Sequence, residues 1–232
     1  MTTFKEISGQ LIKTLSSDPA NPQIGEIWYN NTIGVLKGYV NLGGAWASGG
    51  NMTTARQGLA GAGTQTEGLA FGGIAAPFPT LSNSTEEYNG STWAGGGNMG
   101  TARTDLGGAG TQTAGLAFGG QIPTFASTEE YNGSTWGPGG NLSTGRYSLA
   151  GAGTQTAALG FAGYPVPGVG TRTEAYDGTA WTSVSPMSTA RNSLAGAGTQ
   201  TVGLAFGGTP PLSTATEEFT DPLIITQTLT TS

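Results

Sequence analysis

The sequence predicts an all-β fold made of repeated four-stranded antiparallel sheets, and three observations lead to this prediction. Glycine accounts for 42 of the 232 residues and recurs at fixed places inside longer phrases, unlike in collagen or a disordered segment. The phrase GAGTQT occurs four times, beginning at residues 61, 108, 151 and 196. Each copy lies in a run of short apolar stretches separated by turn signals. Four short strands about every 45 residues are typical of the blades of a β-propeller.

Two unrelated side chains keep the register of this repeat. Tryptophan recurs at intervals of 47, 43 and 45 residues, at Trp46, Trp93, Trp136 and Trp181. Arginine follows each tryptophan by ten residues, at Arg56, Arg103, Arg146 and Arg191. The register therefore defines four repeats, which we number in chain order: residues 51–97, 98–140, 141–185 and 186–220.

The second repeat shows how the strands follow one another. After Arg103, TDLGGAG predicts a first strand of small residues, TQT a tight connection, and AGLAFGG a second strand. STEEY predicts a third strand, NG is a strong hairpin signal, and STW begins the fourth strand. We expect the small residues of the first two strands near the propeller axis. The tyrosine and tryptophan rings would fill the wider space between the outer strands.

The segments that flank the repeats leave the closure of a propeller open. Residues 24–50 are predicted to form a partial closing blade, and residues 221–232 a C-terminal strand that completes either the blade of the fourth repeat or the closing blade. Within the former, GVLKGYVNLGGAW at 34–46 is typical of a third and a fourth strand. This assembly has five blades; the alternative has four, closed by Trp46 beside ATEEF of the fourth repeat. Residues 1–23 are predicted to be an N-terminal arm or an extra strand.

The repeats resemble the kelch family of β-propellers. The residues that carry the resemblance are FGG, then EEYNGSTW, then AR, at 71–103, and the same pattern with GR in place of AR at 118–146. The third copy departs by Ala162 in place of a glycine, and the fourth has Phe219 in place of tyrosine and lacks its tryptophan. The resemblance covers residues 46–220 and implies a propeller of four-stranded blades.

Composition excludes several chemistries. The chain has no cysteine and no histidine, which removes thiolate nucleophiles, imidazole bases and most zinc, copper or haem sites. We therefore expect no cofactor and no bound metal. A net charge of −6 with eight basic residues disfavours nucleic-acid binding. No apolar run is long enough for a membrane span, and the first residues do not form a secretory signal peptide.

Glutamate recurs in the same register as arginine, at Glu86, Glu129, Glu174 and Glu217. We expect each arginine to pair with the glutamate of its repeat and to hold the strands together, since arginine favours bidentate pairing with carboxylates. The alternative is that the arginines bind an anion. The Glu-Glu doublets resemble catalytic pairs, but neighbouring strand residues point to opposite faces of a sheet. We therefore assign these residues, and the four tryptophans, structural roles.

The connections of the repeats differ in how much they vary. TQT and NGST or DGTA hardly change, whereas the connections between the second and third strands differ in length and chemistry. The variable connections and the crossovers between repeats are expected at one end of the sheets. Exposed aromatic residues in loops on a rigid scaffold favour recognition. The candidate binding residues are Phe78, Phe125, Tyr164 and Arg172.

The N-terminal stretch SSDPANPQIGEIWYNNTIGVLKGYV at 16–40 is similar to segments of phage tail-fibre and other virion proteins. Joined to the glycine-rich repeats, it resembles structural proteins of marine bacteriophages. The resemblance implies a non-enzymatic virion component, such as a tail fibre, tail tip or decoration protein, made in the host cytoplasm. Its partners would be other virion proteins, further copies of the chain and a host-surface glycan or protein. The alternative is a cellular kelch-type interaction or glycan-binding module.

Enzymatic activity is not expected. Kelch propellers include a copper oxidase, but its chemistry requires histidine and cysteine ligands, and this chain contains neither. A glycosidase that works through carboxylates is the enzymatic alternative that the composition leaves open.

Overall fold

The computed structural model describes residues 12–21, 26–39, 46–165, 168 and 170–221. The chain divides into two compact units, residues 1–48 and residues 49–232. The described residues are all-β, without a helix, and in this part of the chain no helix therefore qualifies as a membrane span. Most of the predicted N-terminal arm and all but Asp221 of the predicted C-terminal strand lie outside the described residues.

The N-terminal unit contains a three-stranded sheet. Strand β1 (Lys13–Leu15) runs parallel to β2 (Ile27–Asn30), which pairs antiparallel with β3 (Val35–Gly38). Within segment 34–46, β3 thus pairs back with β2, and Trp46 lies in no strand. The carboxylate of Asp18 accepts hydrogen bonds from Lys37, Asn30 and Trp28, which lower its pKa to about 2, Lys37 contributing most.

The repeat-containing unit holds the remaining strands. Repeat 1 contains β4 (Arg56–Gln57), β5 (Ala60–Gly63), β6 (Gly68–Phe71), β7 (Ile74–Ala75), β8 (Thr80–Leu81), β9 (Thr85–Tyr88) and β10 (Trp93–Gly95). Repeat 2 contains β11 (Gly107–Gly110), β12 (Gly115–Phe118), β13 (Thr128–Tyr131) and β14 (Trp136–Gly139). Repeat 3 contains β15 (Arg146–Tyr147), β16 (Ala150–Thr154), β17 (Ala157–Phe161), β18 (Tyr164–Pro165), β19 (Thr173–Tyr176) and β20 (Trp181–Val184). Repeat 4 contains β21 (Ala195–Gly198), β22 (Val202–Phe206) and β23 (Thr216–Thr220).

The first three repeats each form one four-stranded antiparallel sheet with the strands in chain order: β5-β6-β9-β10, β11-β12-β13-β14 and β16-β17-β19-β20. The fourth repeat forms a three-stranded sheet, β21-β22-β23, with the same order. This is the predicted pattern of several four-stranded antiparallel sheets, and it is compatible with propeller blades. The number of blades stays a prediction.

The first strands of successive repeats lie side by side, and glycine makes this approach possible. A Cβ atom on Gly108 would lie 3.0 Å from the carbonyl oxygen of Gly61. On Gly151 it would lie 2.5 Å from the oxygen of Gly108, and on Gly196 3.0 Å from the oxygen of Gly151. The small residues of GAGTQT therefore serve close packing of one sheet on the next.

In repeats 2, 3 and 4, the glutamine of the TQT connection is hydrogen-bonded to the preceding repeat. Gln112 Nε2 donates to the carbonyl oxygens of Gly68 and Tyr88 at 3.1 and 2.6 Å. Gln155 and Gln200 make the same pair of bonds to repeats 2 and 3. The invariance of TQT is thus explained by contacts between repeats.

The outer strands are held by aromatic rings. Trp136 packs on Phe71 of the preceding repeat, with ring centroids 4.9 Å apart, and its Nε1 donates to Thr85 Oγ1 at 2.9 Å. Trp181 makes the equivalent contacts with Phe118 and Thr128 of repeat 2. These two tryptophans have the structural role expected of them.

Trp46 does not have that role. Its side chain is wholly exposed and belongs to the N-terminal unit. Among the described residues, Trp46 lies in no strand, so it does not begin the fourth strand of a sheet as the other three tryptophans do. Within the described part of one chain, Trp46 therefore lacks the packing that its spacing predicts.

Each repeat contains the predicted arginine–glutamate ion pair. The Nη2–Oε1 distances are 2.8, 3.0, 2.9 and 2.7 Å, for Arg56–Glu86, Arg103–Glu129, Arg146–Glu174 and Arg191–Glu217. The arginine side chains are buried, and each Nη1 also donates to two carbonyl oxygens, one at the Gly-Gly or Ala-Gly turn after the second strand and one directly before the third strand. The guanidinium groups thus join the second and third strands of their own repeat.

The second glutamate oxygen completes this arrangement. Thr53 donates to Glu86 Oε2 through its backbone N–H and its hydroxyl, both at 2.6 Å. Burial acts to raise the pKa of Glu86, but the bonds from Thr53 and the charge of Arg56 outweigh it and lower the pKa below its usual value. Burial lowers the pKa of Arg146 to about 10 while Glu174 acts to raise it, so the guanidinium group remains charged at neutral pH.

The second glutamate of the doublets in repeats 1 and 2 faces the following repeat. Tyr131 donates its hydroxyl to Glu87 Oε1 and Tyr176 donates to Glu130 Oε1, both at 2.5 Å. At the interface between repeats 3 and 4, Ala175 stands in the position of the glutamate acceptor and Phe219 in the position of the tyrosine donor. Acceptor and donor are therefore lost together, which avoids a carboxylate without its partner.

These tyrosines predict a stability loss in alkali. Burial first, and then the bond to the glutamate, raises the pKa of Tyr131 and of Tyr176 to about 12, above the ordinary value of 10. Because the folded pKa is raised, the stabilisation is complete below pH 10 and is lost between pH 10 and 12. Tyr176→Phe should weaken this pH dependence by about 1–3 kcal/mol over that window, measured by urea unfolding at each pH.

The matched control is Tyr164→Phe, which removes a tyrosine of the same repeat outside this interface. It should retain the alkaline loss of the parent chain. Equal pH profiles for the parent and Tyr176→Phe would contradict the assignment.

Candidate functional site

The variable connections form one end of the repeat-containing unit. We call residues 72–84, 119–127, 162–172 and 207–215 the variable loops, and the end where they lie the loop face. Strand β4 pairs with β7 and β15 pairs with β18, and single bridges join Thr104 to Gln121 and Asn192 to Thr209. In each repeat the crossover segment after the arginine is thus paired with the variable loop. The two kinds of connection share one face, as the antiparallel order predicts.

The four candidate binding residues differ in how they meet solvent. Phe78 is 69% exposed. Arg172 is exposed and donates to Thr144 Oγ1. These two present their side chains on the loop face and fit the predicted surface.

Phe125 and Tyr164 are half-buried. The ring of Phe125 lies beneath the guanidinium group of Arg103, whose Cζ is 5.9 Å from the ring centroid. Tyr164 packs on Tyr147, with ring centroids 5.3 Å apart. Both side chains therefore stabilise the loop conformation and offer a partner one edge of the ring.

Two exposed apolar residues of the variable loops were missed by the sequence prediction. Ile122 is 54% exposed and Leu212 is 92% exposed. A common signal identifies them together with Phe78: each is next to a proline, in PFP, IP and PPL. A search for aromatic residues alone overlooked this pattern. Loops 1, 2 and 4 thus each carry one prominent apolar side chain.

A cavity of about 210 Å³ lies where the first strands begin, at the loop-face end. Two residues of each repeat line it: Gly58 and Leu59, Asp105 and Leu106, Ser148 and Leu149, and Ser193 and Leu194. The N–H of Asp105 donates to Gly58 O, that of Ser148 to Asp105 O, and that of Ser193 to Ser148 O, at 2.7–2.8 Å. The four repeats therefore contribute equivalent backbone positions to one cavity.

The backbone at this cavity is left-handed in all four repeats. The φ angles are +63° at Gly58, +52° at Asp105, +52° at Ser148 and +51° at Ser193. Non-glycine residues adopt such angles only at a cost, and asparagine and aspartate tolerate them best. The carboxylate of Asp105 accepts a hydrogen bond from Gln121 Nε2. The cavity wall thus combines four leucine side chains with a polar rim.

The chemistry available at the loop face is limited. Among the described residues no cluster of three or more acidic side chains could hold a metal ion. The four buried guanidinium groups contact their own glutamates and carbonyl oxygens, so they do not form the anion site considered as their alternative. In repeats 1 and 2, the first glutamate of the doublet pairs with the arginine and the second accepts a hydrogen bond from a tyrosine of the next repeat.

Comparison with protein-family models gives no match for this chain, and comparison with curated proteins finds no similar sequence.

Proposed function

We propose that the chain is a non-enzymatic structural and recognition protein of a bacteriophage virion, in which a kelch-like β-propeller presents its variable loops to a host surface. One observation carries the recognition part. The repeated polar side chains are used inside the scaffold, whereas the exposed apolar side chains Phe78, Ile122 and Leu212 lie on loops that differ between repeats. Such variation on a fixed scaffold favours binding specificity.

The propeller part is supported by the arrangement of the sheets. Four successive sheets have the same strand order, their first strands lie side by side, and two residues of each repeat line a single cavity. These features fit blades around a common axis. Five blades, with the N-terminal segment as a partial blade, remain our prediction, and four blades remain the alternative.

The virion part is supported by the sequence resemblance of residues 16–40 and of the repeats to phage structural proteins. A position in a tail fibre, tail tip or decoration layer would place the loop face toward the host. Assembly in the host cytoplasm would bring the chain together with other virion proteins. The composition, without histidine or cysteine, supports a role that involves no reaction.

Binding of the fluorescently labelled protein to a panel of cultured marine bacteria tests the recognition role. The parent chain should bind a subset of strains, and the triple variant Phe78→Ser, Ile122→Ser, Leu212→Ser should lose that binding by about tenfold or more, since exposed apolar anchors dominate interfaces. The matched control is Glu67→Ala, which alters an exposed side chain beside the TQT connection at the opposite end.

Two further outcomes bear on the proposal. Equal binding by the triple variant and the parent chain would contradict recognition through the loop face. Labelling of purified virions with antibodies against the chain tests the virion role separately. Absence of the chain from virions that are produced by cells expressing it would contradict that role and favour a cellular interaction module.

A further inference from the structure

The fourth repeat ends in an open strand edge. Its sheet has the order β21-β22-β23, and in the described part of the chain no strand pairs with the free edge of β23. In the three preceding repeats this edge is covered by a strand that begins with tryptophan: β10, β14 and β20. Open edges present unpaired N–H and C=O groups to any strand of suitable register.

A cavity of about 180 Å³ lies beside this open edge. Its walls include Phe161 and Thr173 of repeat 3 and Phe219 of repeat 4. In the register of the repeats these residues match Phe118, Thr128 and Tyr176, which surround the indole of Trp181. The cavity therefore has the walls of a tryptophan site: a ring on either side and a threonine hydroxyl that can accept the indole N–H.

The matching tryptophan strand stands at the other end of the repeats. Residues 46–56, WASGGNMTTAR, agree with residues 93–103, WAGGGNMGTAR, at nine of eleven positions. Yet residues 46–50 lie in no strand, and the Trp46 side chain is wholly exposed. Among the described residues, a segment with the sequence of a fourth strand but without a sheet thus precedes the repeats, and repeat 4 has a sheet without a fourth strand.

Gly49 and Gly50 of this segment contact repeat 1 in the way that the end of a fourth strand contacts the repeat that follows it. A Cβ atom on Gly49 would lie 2.9 Å from the Tyr88 hydroxyl, as one on Gly96 would lie 2.7 Å from the Tyr131 hydroxyl. A Cβ atom on Gly50 would lie 2.2 Å from Ser91 O, again as at the following interfaces. The segment is therefore held in fourth-strand geometry at its C-terminal end.

We propose that residues 46–49 of a second copy of the chain add to β23 as the fourth strand of repeat 4, with the Trp46 indole in the cavity. Among the described residues each surface is uncovered within its own unit, and the two complement each other from head to tail. The register of repeat 2 places Trp46 opposite Phe219, Ala47 opposite Glu218, and Ser48 opposite Glu217. The contact would continue the interface that already joins successive repeats.

Proline substitutions test this register, because pairs along an antiparallel ladder alternate between hydrogen-bonded and non-hydrogen-bonded. In repeat 2, Pro138 lies opposite Glu129, so the fourth strand needs no N–H at that place. The equivalent residue is Ser48, and the neighbouring Ala47 must then donate to the edge. Ser48→Pro should keep assembly, whereas Ala47→Pro should abolish it.

Light scattering coupled to size-exclusion chromatography, over a range of concentrations, gives the mass of each variant. The parent chain and Ser48→Pro should form oligomers. Ala47→Pro, which blocks the leading strand, and Glu218→Pro, which blocks the trailing edge, should each be monomeric. A mixture of these two variants should form a 1:1 dimer, because each retains the surface that the other lacks.

Two results would overturn the proposal. A parent chain that stays monomeric at all concentrations, with Trp46 protected from quenching by acrylamide, would show that the strand pairs within its own chain. Oligomers that persist in Ala47→Pro and in Glu218→Pro would show that another surface joins the copies. Circular dichroism of each variant confirms that the repeats remain folded.

Discussion

Replacing Arg146 with methionine should lower the free energy of unfolding by about 3–5 kcal/mol, because it leaves the Glu174 carboxylate buried without a partner. Both side chains of this pair are completely buried, and their Nη2–Oε1 distance is 2.9 Å. The guanidinium group also donates to the carbonyl oxygens of Ala162 and Arg172. Urea unfolding followed by tryptophan fluorescence measures the change.

A matched control is available in the same repeat. Arg172 is exposed, and Arg172→Met should change the free energy of unfolding by no more than about 0.5 kcal/mol. In the double variant Arg146→Met, Glu174→Leu, no charge is left buried, so the loss should be smaller than in Arg146→Met alone. A cost below about 1 kcal/mol for Arg146→Met would contradict a structural role for the pair.

Gly151→Ala should cost about 1–3 kcal/mol or more, since the added methyl group has no room. Its Cβ would lie 2.5 Å from the carbonyl oxygen of Gly108 and 2.7 Å from the ring of Phe118. The first contact is with backbone, so relief requires the sheets of repeats 2 and 3 to separate. The same urea titration measures the loss.

Gly137→Ala is the matched control for this substitution. Gly137 also lies in a strand, β14, and no atom outside its chain neighbours lies within 4 Å of the position of its Cβ. The change should leave stability within about 0.5 kcal/mol of the parent or raise it slightly, because alanine has less freedom in the unfolded chain. Equal losses for the two variants would mean that the cost arises from strand propensity and not from contact between sheets.

The interior of the repeats was predicted well from the sequence because the same residue pattern recurs in the four repeats. Arginine and glutamate in one register predicted ion pairs, and the small residues of GAGTQT predicted close packing, since the same contacts recur at every interface. When the same pattern occurs in several repeats, a wrong interpretation of one repeat can be recognised by comparison with the others. The strand order and the common face of the variable loops followed from the same evidence.

The remainder depends on contacts that occur once. The ring of Phe125 is half-buried because Arg103 lies over it, and no local pattern around PTF indicates this. Trp46 matches the other tryptophans in spacing. Its environment differs because, among the described residues, it belongs to no sheet against which its ring could pack. Ile122 and Leu212 were overlooked because aromatic residues were taken as the mark of an exposed loop anchor.

The joint replacement of glutamate by Ala175 and of tyrosine by Phe219 limits how the array can change its length during evolution. Deleting repeat 3 would set Phe219 of repeat 4 against Glu130 of repeat 2, a carboxylate that then lacks its tyrosine donor. Duplicating repeat 2 would instead place a tyrosine against a glutamate at the new junction. The effect of gaining or losing one repeat therefore depends on which repeat changes, and the third and fourth repeats are expected to be inherited as a pair.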